Sequence, residues 1–402
     1  MRTVDIHAHF FPETWPDLSA RFGTSDWPSI KPLGDGEAMI MLGNRDFRRI
    51  GQVCWDPVLR LEDMDRMGVD LQVISPTPVL FSYNRPAEQA REVARIISLG
   101  RLGGVSVSLG TADSDADAQK NIDLLANDLF IAALEDAPVA AVLSEEVQDP
   151  IVLDPAAPLA LAIDPVDGSP NIDTAVSTGT IFSILPAVPG AIQPEEHFLR
   201  SGHEQIAAGF VIYGPQTSLV LTLGHGVNIF TLDREAAAFR LAIPKVSIAQ
   251  GSTEYAIEAS NYRHWGDSIR AYVDDCVTGL EGPLAKDYNM HWVASLVAEA
   301  YRILARGGVF LYPADERRGY VAGRHRLIYE ANPISFLIEQ AGGAATDTVQ
   351  RILDLRPTEL HACTPFVFGS ADVVHRIVRY HTDPQFSAER EPLFARRGLL
   401  RL

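Results

Sequence analysis

Apolar residues fall along this chain in two rhythms. Unbroken runs of strand length occur at residues 138–143, 159–163 and 308–313, and each is bounded by turn-forming or charged residues. Residues 117–137 instead place Ile122, Leu125, Ala126, Leu129, Phe130, Ala133 and Leu134 three and four apart, the spacing of a helix with one face in a core. Residues 179–184 read as a strand, residues 205–223 alternate as two strands about Gly214-Pro215, and residues 230–248 continue this β-rich portion. Helices are expected over residues 292–304 and 334–341. Asn332 would cap the second, Pro333 would be its first residue, and Gly342-Gly343 would close it. The pattern predicts stacked sheets and helices of the α/β class.

The first part of the chain is different. Residues 3–12 and 69–75 read as strands and residues 57–67 as a helix, apolar at Leu61, Met64 and Met67, with a Gly/Pro-rich loop expected over about residues 22–43. This makes one strand-helix-strand unit, which cannot bury itself alone. A helical pattern from Ala90 to Gly100 and a polar loop at residues 111–116 follow, so a domain boundary is expected near residue 90. The expected divisions are therefore 1–89, 90–386 and a tail at 387–402.

Composition narrows the function. With 402 residues and 47% hydrophobic residues, the chain can bury one large core or two smaller ones. No apolar run reaches membrane-spanning length and residues 1–7 lead straight into strand-like sequence, which reads as a cytoplasmic protein without a leader. Cys54, Cys276 and Cys363 lie far apart and form no CxxC pair, against a disulfide framework or a thiolate metal site. A net charge of −18 argues against nucleic-acid and anionic-membrane partners, and an enzyme for anionic sugars would need a local basic pocket. Arg324 and Arg326, expected on one face of an extended segment, supply it.

The candidate chemistry gathers where strands end. The run 159–163 leads into Asp164-Pro165-Val166-Asp167-Gly168-Ser169-Pro170, with two carboxylates three residues apart and the Val166 carbonyl between them. Such oxygen ligands suit Mg²⁺ or Mn²⁺ rather than Zn²⁺. Gly168 permits close backbone approach, Ser169 brings an N–H and a hydroxyl, and Pro170 fits the start of a helix whose N-terminus favours phosphate. The other reading is an Asp-Pro turn with an Asp cap. The run 138–143 likewise ends in Ser144-Glu145-Glu146, which in isolation would be a solvated turn. Neighbouring strands ending in Glu145/Glu146 and Asp164/Asp167 would bring four carboxylates together, an arrangement that asks for cations. Near the start, His7 and His9 at i and i+2 share one strand face and could hold a divalent metal.

Two resemblances add to this. Asp5-Ile6-His7-Ala8-His9-Phe10-Phe11-Pro12, Asn44-Arg45-Asp46-Phe47-Arg48, Trp55-Asp56-Pro57 and Gly68-Val69-Asp70-Leu71-Gln72-Val73 resemble the start of the aminocarboxymuconate-semialdehyde decarboxylases of the amidohydrolase superfamily. The likeness covers about the first 85 residues. It implies a partial TIM-barrel-like βαβ segment in which His7 and His9 are a vestigial metal pair, since the later ligands of such a barrel do not follow.

The second resemblance is longer. Asp117-Ala118-Gln119-Lys120 with Asp123, Ser144-Glu145-Glu146, residues 164–173, Gly179-Thr180-Ile181-Phe182, residues 308–313, residues 326–333 and Glu339-Gln340-Ala341-Gly342-Gly343 are similar, in the same order, to the class I fructose-1,6-bisphosphatases. The resemblance implies a layered αβαβα sugar-phosphatase fold and Mg²⁺-dependent hydrolysis of the 1-phosphate of fructose 1,6-bisphosphate, with Mn²⁺ as the other candidate metal. Gluconeogenesis or a reductive pentose cycle and a homodimer or homotetramer are implied with it. By similarity Glu145, Glu146, Asp164, the Val166 carbonyl, Asp167 and Glu330 would bind metal. Asp123 with Glu146 would orient and deprotonate water, with Asp117 as a further catalytic acid. Asp167, Gly168, Ser169 and Arg326 would meet the reacting phosphate, while Tyr312, Arg324, Glu258 and His291 would lie along the sugar and its second phosphate.

Four positions depart from that family's pattern. Pro170 stands where relatives have a second Ser, Arg324 where most have Lys, Glu258 where Asn is usual, and His291 where an Arg reaches the second phosphate, often across a subunit interface. The family's first helix is absent or overwritten. The alternatives to a bisphosphatase are a metal-dependent amidohydrolase or decarboxylase using His7 and His9, and an inactive fusion of two gene pieces.

Overall fold

The computed structural model describes residues 4–10, 28–34, 36–42, 44–54, 56–67, 71–76, 112–134, 137–234 and 238–383. The chain divides into two compact units, Met1–Pro86 and Ala87–Leu402. In the first, β1 (Val4–Phe10) is followed by β2 (Pro28–Gly34), β3 (Glu37–Leu42), β4 (Arg45–Gly51), helix α1 (Pro57–Met67) and β5 (Leu71–Pro76). β1 and β5 pair in parallel, as a strand-helix-strand unit requires. The stretch expected as a Gly/Pro-rich loop instead contributes β2 and β3 to a three-stranded antiparallel sheet of order β2-β3-β4. Pro28 and Pro32 belong to β2, an edge strand, where a residue without an N–H costs the sheet little.

The second unit opens with α2 (Ala112–Leu134), so the expected loop at residues 111–116 is helical from Ala112. An eight-stranded sheet follows: β6 (Val139–Ser144), β7 (Ile151–Val152), β8 (Leu159–Asp167), β9 (Thr178–Pro186), β10 (Ala207–Tyr213), β11 (Thr217–Thr222), β12 (Val227–Asp233) and β13 (Ala238–Val246). Its order is β13-β12-β11-β10-β9-β8-β6-β7, antiparallel except for the parallel β6-β8 pair. Then come β14 (Glu254–Ile257), α3 (Asp267–Thr278), β15 (Asn289–Met290), α4 (Leu296–Arg306), β16 (Val309–Tyr312), β17 (His325–Arg326), α5 (Asn332–Gln340), β18 (Ala344–Thr346), β19 (Cys363–Thr364), β20 (Phe366–Gly369) and α6 (Ala371–Thr382). β14, β15, β16, β18 and β20 form a five-stranded sheet, and β17 pairs with β19. The layered α/β expectation holds for this unit. Among the described residues no helix is long and apolar enough to cross a membrane.

The main core lies between the two sheets. Val297, Ala300 and Ile303 of α4 and Ile334, Leu337 and Ile338 of α5 pack with Ile181 and Phe210 of the large sheet and Phe310, Phe366 and Phe368 of the smaller one. The approach of α4 to β9 depends on Gly179, where an added Cβ would meet Val211 O and come within 2.7 Å of both methyls of Val297. Overpacking of this kind costs about 1–3 kcal/mol. Gly179→Ala is therefore expected to lower the thermal midpoint by several degrees in a melting experiment; an unchanged midpoint would show that α4 retreats freely.

Two local expectations fail for identifiable reasons. Helix α4 starts at Leu296 rather than Trp292, because Ala294 has φ 58° and Ser295 caps the helix by accepting the Ala298 N–H. Asn332 is not a cap: a π-helical turn, Leu327–Ala331, runs directly into α5, leaving Asn332 buried with helical φ and ψ.

Candidate functional site

The parallel register of β6 and β8 sets Ser144 beside Ile163, so both strands deliver their terminal acids at the same edge. The Glu145 N–H donates to Ile163 O at 3.1 Å, which ties the two strand ends together. Beyond Ile163, β8 stays paired with β9, but the register shifts between Asp164 and Asp167. Pro165, with no N–H for the ladder, sits in this irregularity, and its carbonyl accepts the Thr180 hydroxyl at 2.7 Å. The Asp-Pro stretch is thus a buried bulge rather than an exposed turn. Asp164 Oδ1 accepts the Val166 N–H at 3.1 Å, and Asp167 Oδ2 accepts the Val297 N–H at 3.2 Å from the first turn of α4. The helix after Gly168 is only the 3₁₀ segment Ser169–Thr174, entered through Gly168 at φ 76°. Any anion preference there rests on individual N–H groups rather than on a helix dipole.

Glu330 comes from the π-helical turn and completes the cluster. Asp164, Asp167 and Glu330, all buried, each offer an oxygen within 4.8 Å of the others. Burial, then Glu330, pushes both Asp167 and Glu145 up to about 7, and burial, then Glu145, raises Asp164 well above the carboxylate range. Arg326 offsets part of this charge, its Nε donating to Glu145 Oε1 at 3.2 Å. Several buried carboxylates against one guanidinium cannot all ionise at neutral pH. An all-oxygen donor set of this kind fits a hard divalent cation.

Asp123, on α2, lies on the Ser169 side of the cluster. Its Oδ2 accepts the Ser169 hydroxyl at 3.1 Å, while its buried Oδ1 has no hydrogen-bond partner. Burial, then the charge of Glu146, pushes Asp123 up to about 7, in the range of a general base. The Glu146 N–H donates to Ser144 Oγ at 3.3 Å. The side chains of Asp117, His7 and His9 lie outside the described residues.

Tyr312 and Glu258 line one cleft together with Asn261, Trp265 and Asp315. Glu258 accepts from the Ser260 hydroxyl at 2.7 Å and the Asn261 amide at 2.9 Å. Arg324 and Arg326 are not on one extended strand as expected: β17 is only two residues long and Arg324 precedes it. Arg326 turns to Glu145, whereas Arg324 lies over the Tyr320 ring, 4.7 Å from its centroid, and Arg317 lies over the same ring at 4.0 Å. His291 is not among the residues lining the cleft; its Nε2 is 3.9 Å from Glu254 Oε2, which Arg302 holds at 2.7 Å.

Two contributors escaped the sequence reading. Glu299, fully buried, accepts the Val293 N–H and pairs with Arg302, anchoring the loop that carries His291. His325, between the two arginines already singled out, turns inward and bonds Glu330 at 2.8 Å. Burial pulls this imidazole down, but Glu330, Asp167 and Glu145 together hold it above its ordinary value. A histidine flanked by two arginines was the available signal.

Comparison with known proteins gives one consistent pattern. Residues 86–244 match the family model "Fructose-1-6-bisphosphatase, N-terminal domain" and residues 248–382 match "Fructose-1-6-bisphosphatase, C-terminal domain". The class 1 fructose-1,6-bisphosphatase of Sinorhizobium medicae (strain WSM419) is 54% identical over 319 residues, covering 79% of this chain and 91% of that protein. That of Rhodopseudomonas palustris (strain TIE-1) is 52% identical over 312 residues, covering 77% and 90%. Among solved structures, the holo form of Leishmania major fructose-1,6-bisphosphatase superposes with a TM-score of 0.67 at 31% identity, covering 74% of this chain and 92% of the other.

Proposed function

The chain belongs to the fructose-1,6-bisphosphatase family, class 1, and is a fructose-bisphosphatase; from this premise we propose that it releases the 1-phosphate of fructose 1,6-bisphosphate with Mg²⁺ held by Asp164, Asp167, Glu330, Glu145, Glu146 and the Val166 carbonyl. The observation that carries the site assignment is the buried convergence of Asp164, Asp167 and Glu330 beside Glu145. The family is metal-dependent, and a cation held by these acids would supply positive charge for activating water and for neutralising the phosphate and leaving-group oxygens.

In this reading Asp123, with Glu146 beside it, accepts the proton of the attacking water, and the Ser169 hydroxyl fixes its orientation. Gly168, Ser169 and Arg326 receive the reacting phosphate, with Pro170 contributing no N–H. Tyr312 bounds the sugar and Arg324 faces the second phosphate. Asp117 remains a proposed helper acid, and His291 a proposed contact to the second phosphate only if it leaves Glu254. For residues 1–85 the amidohydrolase-like reading is supported by the parallel β1-β5 pair alone, without a complete metal site proposed for it.

Phosphate release from fructose 1,6-bisphosphate, sedoheptulose 1,7-bisphosphate and inositol monophosphate, with and without Mg²⁺, tests the reading. Mg²⁺-dependent release should be fastest with fructose 1,6-bisphosphate. Faster turnover of inositol monophosphate, or release unaffected by chelation, would overturn it.

The Tyr312 cleft gives a second outcome. Glu258 places a negative charge where a sugar phosphate would sit, and at a screened distance this costs on the order of 1 kcal/mol of binding. Glu258→Asn keeps an oxygen for Ser260 or Asn261 and is expected to lower KM for fructose 1,6-bisphosphate roughly fivefold with kcat little changed. An unchanged or higher KM would remove Glu258 from the substrate's surroundings.

A further inference from the structure

We propose that His325 is a positioning residue that aims the Glu330 carboxylate into the acid cluster, an inference that rests on reading Glu330 as a metal ligand. Glu330 needs such support. It projects from a π-helical turn into a space shared with the buried carboxyl groups of Asp164 and Asp167, where any shared negative charge disfavours its pointing inward. Two donors from consecutive residues oppose this: His325 Nδ1 meets Oε1 at 2.8 Å, and the Arg326 backbone N–H meets Oε2 at 2.5 Å. Each carboxylate oxygen keeps a further lone pair for a cation.

The imidazole is itself held in place. Its ring packs edge-on against Tyr312, Phe310 and Phe366, with centroids 5.1, 5.6 and 5.7 Å away. Its other nitrogen, Nε2, is buried with no hydrogen-bond partner, so Glu330 is the group its hydrogen bonding serves. A partner that fixes the orientation of a metal-binding side chain is worth roughly 10- to 100-fold in metal affinity. Because the same ring touches Tyr312, it also sets the wall of the sugar cleft and the direction of the metal-binding acid from one side chain.

The test is Mg²⁺ binding to the metal-free full chain, followed by calorimetry, for wild type and for His325→Leu, His325→Phe and His325→Asn. The Leu and Phe variants fill the aromatic box without a donor and are expected to bind Mg²⁺ roughly 10- to 100-fold more weakly. The Asn amide can place an N–H near the Nδ1 position and should recover most of that loss. Phe serves as the reading if Leu fails to fold. Affinity within about twofold of wild type in a folded donor-less variant, or an Asn variant no better than Leu and Phe, would overturn the proposal. Asp167→Asn is the control: unchanged Mg²⁺ binding there would sink the metal reading of the whole cluster, whereas unchanged binding in the His325 variants alone sinks only the role of His325.

Discussion

Asp167→Asn is expected to reduce kcat for fructose 1,6-bisphosphate at least about 100-fold, a loss of roughly 2.7 kcal/mol of transition-state stabilisation, while leaving the fold intact. The amide oxygen can still accept the Val297 N–H that anchors α4, so packing at the strand end survives. What disappears is the charge. Metal-free protein should show the complementary effect. Asp167, Glu145 and Asp123 are each held near 7 by burial first and then by neighbouring acids, against about 4 in an unfolded chain. Between those values the native form binds more protons than the unfolded form, so this contribution to stability is complete below about pH 4 and is lost as pH rises through about 7. In EDTA, wild type should therefore melt at a lower temperature at pH 8 than at pH 5.5, with a shallower decline in the Asn variant. Mg²⁺ should restore the wild-type midpoint at pH 8 and do little for the variant. A variant that retained more than about a tenth of wild-type kcat, or an equal Mg²⁺-induced shift in both proteins, would refute Asp167 as a ligand.

The elements that carry this chemistry were legible because their signals are local. The apolar runs at 138–143 and 159–163 are too short for helices and end in acids, so strand type and strand end could be read together. That those ends are adjacent is a property of the parallel β6-β8 register, which no local pattern specifies. The β2-β3-β4 sheet was missed because prolines and glycines mark a loop unless the strand is known to be an edge. Residues 112–116 were missed for a related reason: Asp and Ser read as turn formers, yet the chain is already helical from Ala112. Asn332-Pro333 carries a strong start signal, but the preceding π-helical turn lets the chain enter α5 without a cap. The pairing of His325 with Glu330, five residues on, was not legible because it depends on the π-helical turn between them, which the sequence pattern did not announce.

Asp123→Asn is expected to separate proton transfer from metal binding. Asp123 and Asp167 are both raised to about 7, chiefly by desolvation, yet their partners differ. Asp167 faces Glu330 and the start of α4, whereas Asp123 faces Glu146 and accepts a hydrogen bond from Ser169. The group of acids whose oxygens converge within 4.8 Å includes Asp167 and not Asp123. On the proposed mechanism this carboxylate, with one oxygen fixed by Ser169 and the other buried without a partner, takes the proton from water. The Asn variant keeps an oxygen for Ser169 and can turn its amide toward Glu146, so the local structure should persist. General-base assistance contributes roughly 10²–10⁴-fold, and a fall in kcat within that range is expected at saturating Mg²⁺. Mg²⁺ affinity measured by calorimetry should stay within about threefold of wild type, in contrast to Asp167→Asn. A loss of Mg²⁺ affinity as large as that of Asp167→Asn would make Asp123 a ligand instead of a base. A kcat above about a tenth of wild type would leave the proton to Glu146, which the same measurement on Glu146→Gln would then reveal.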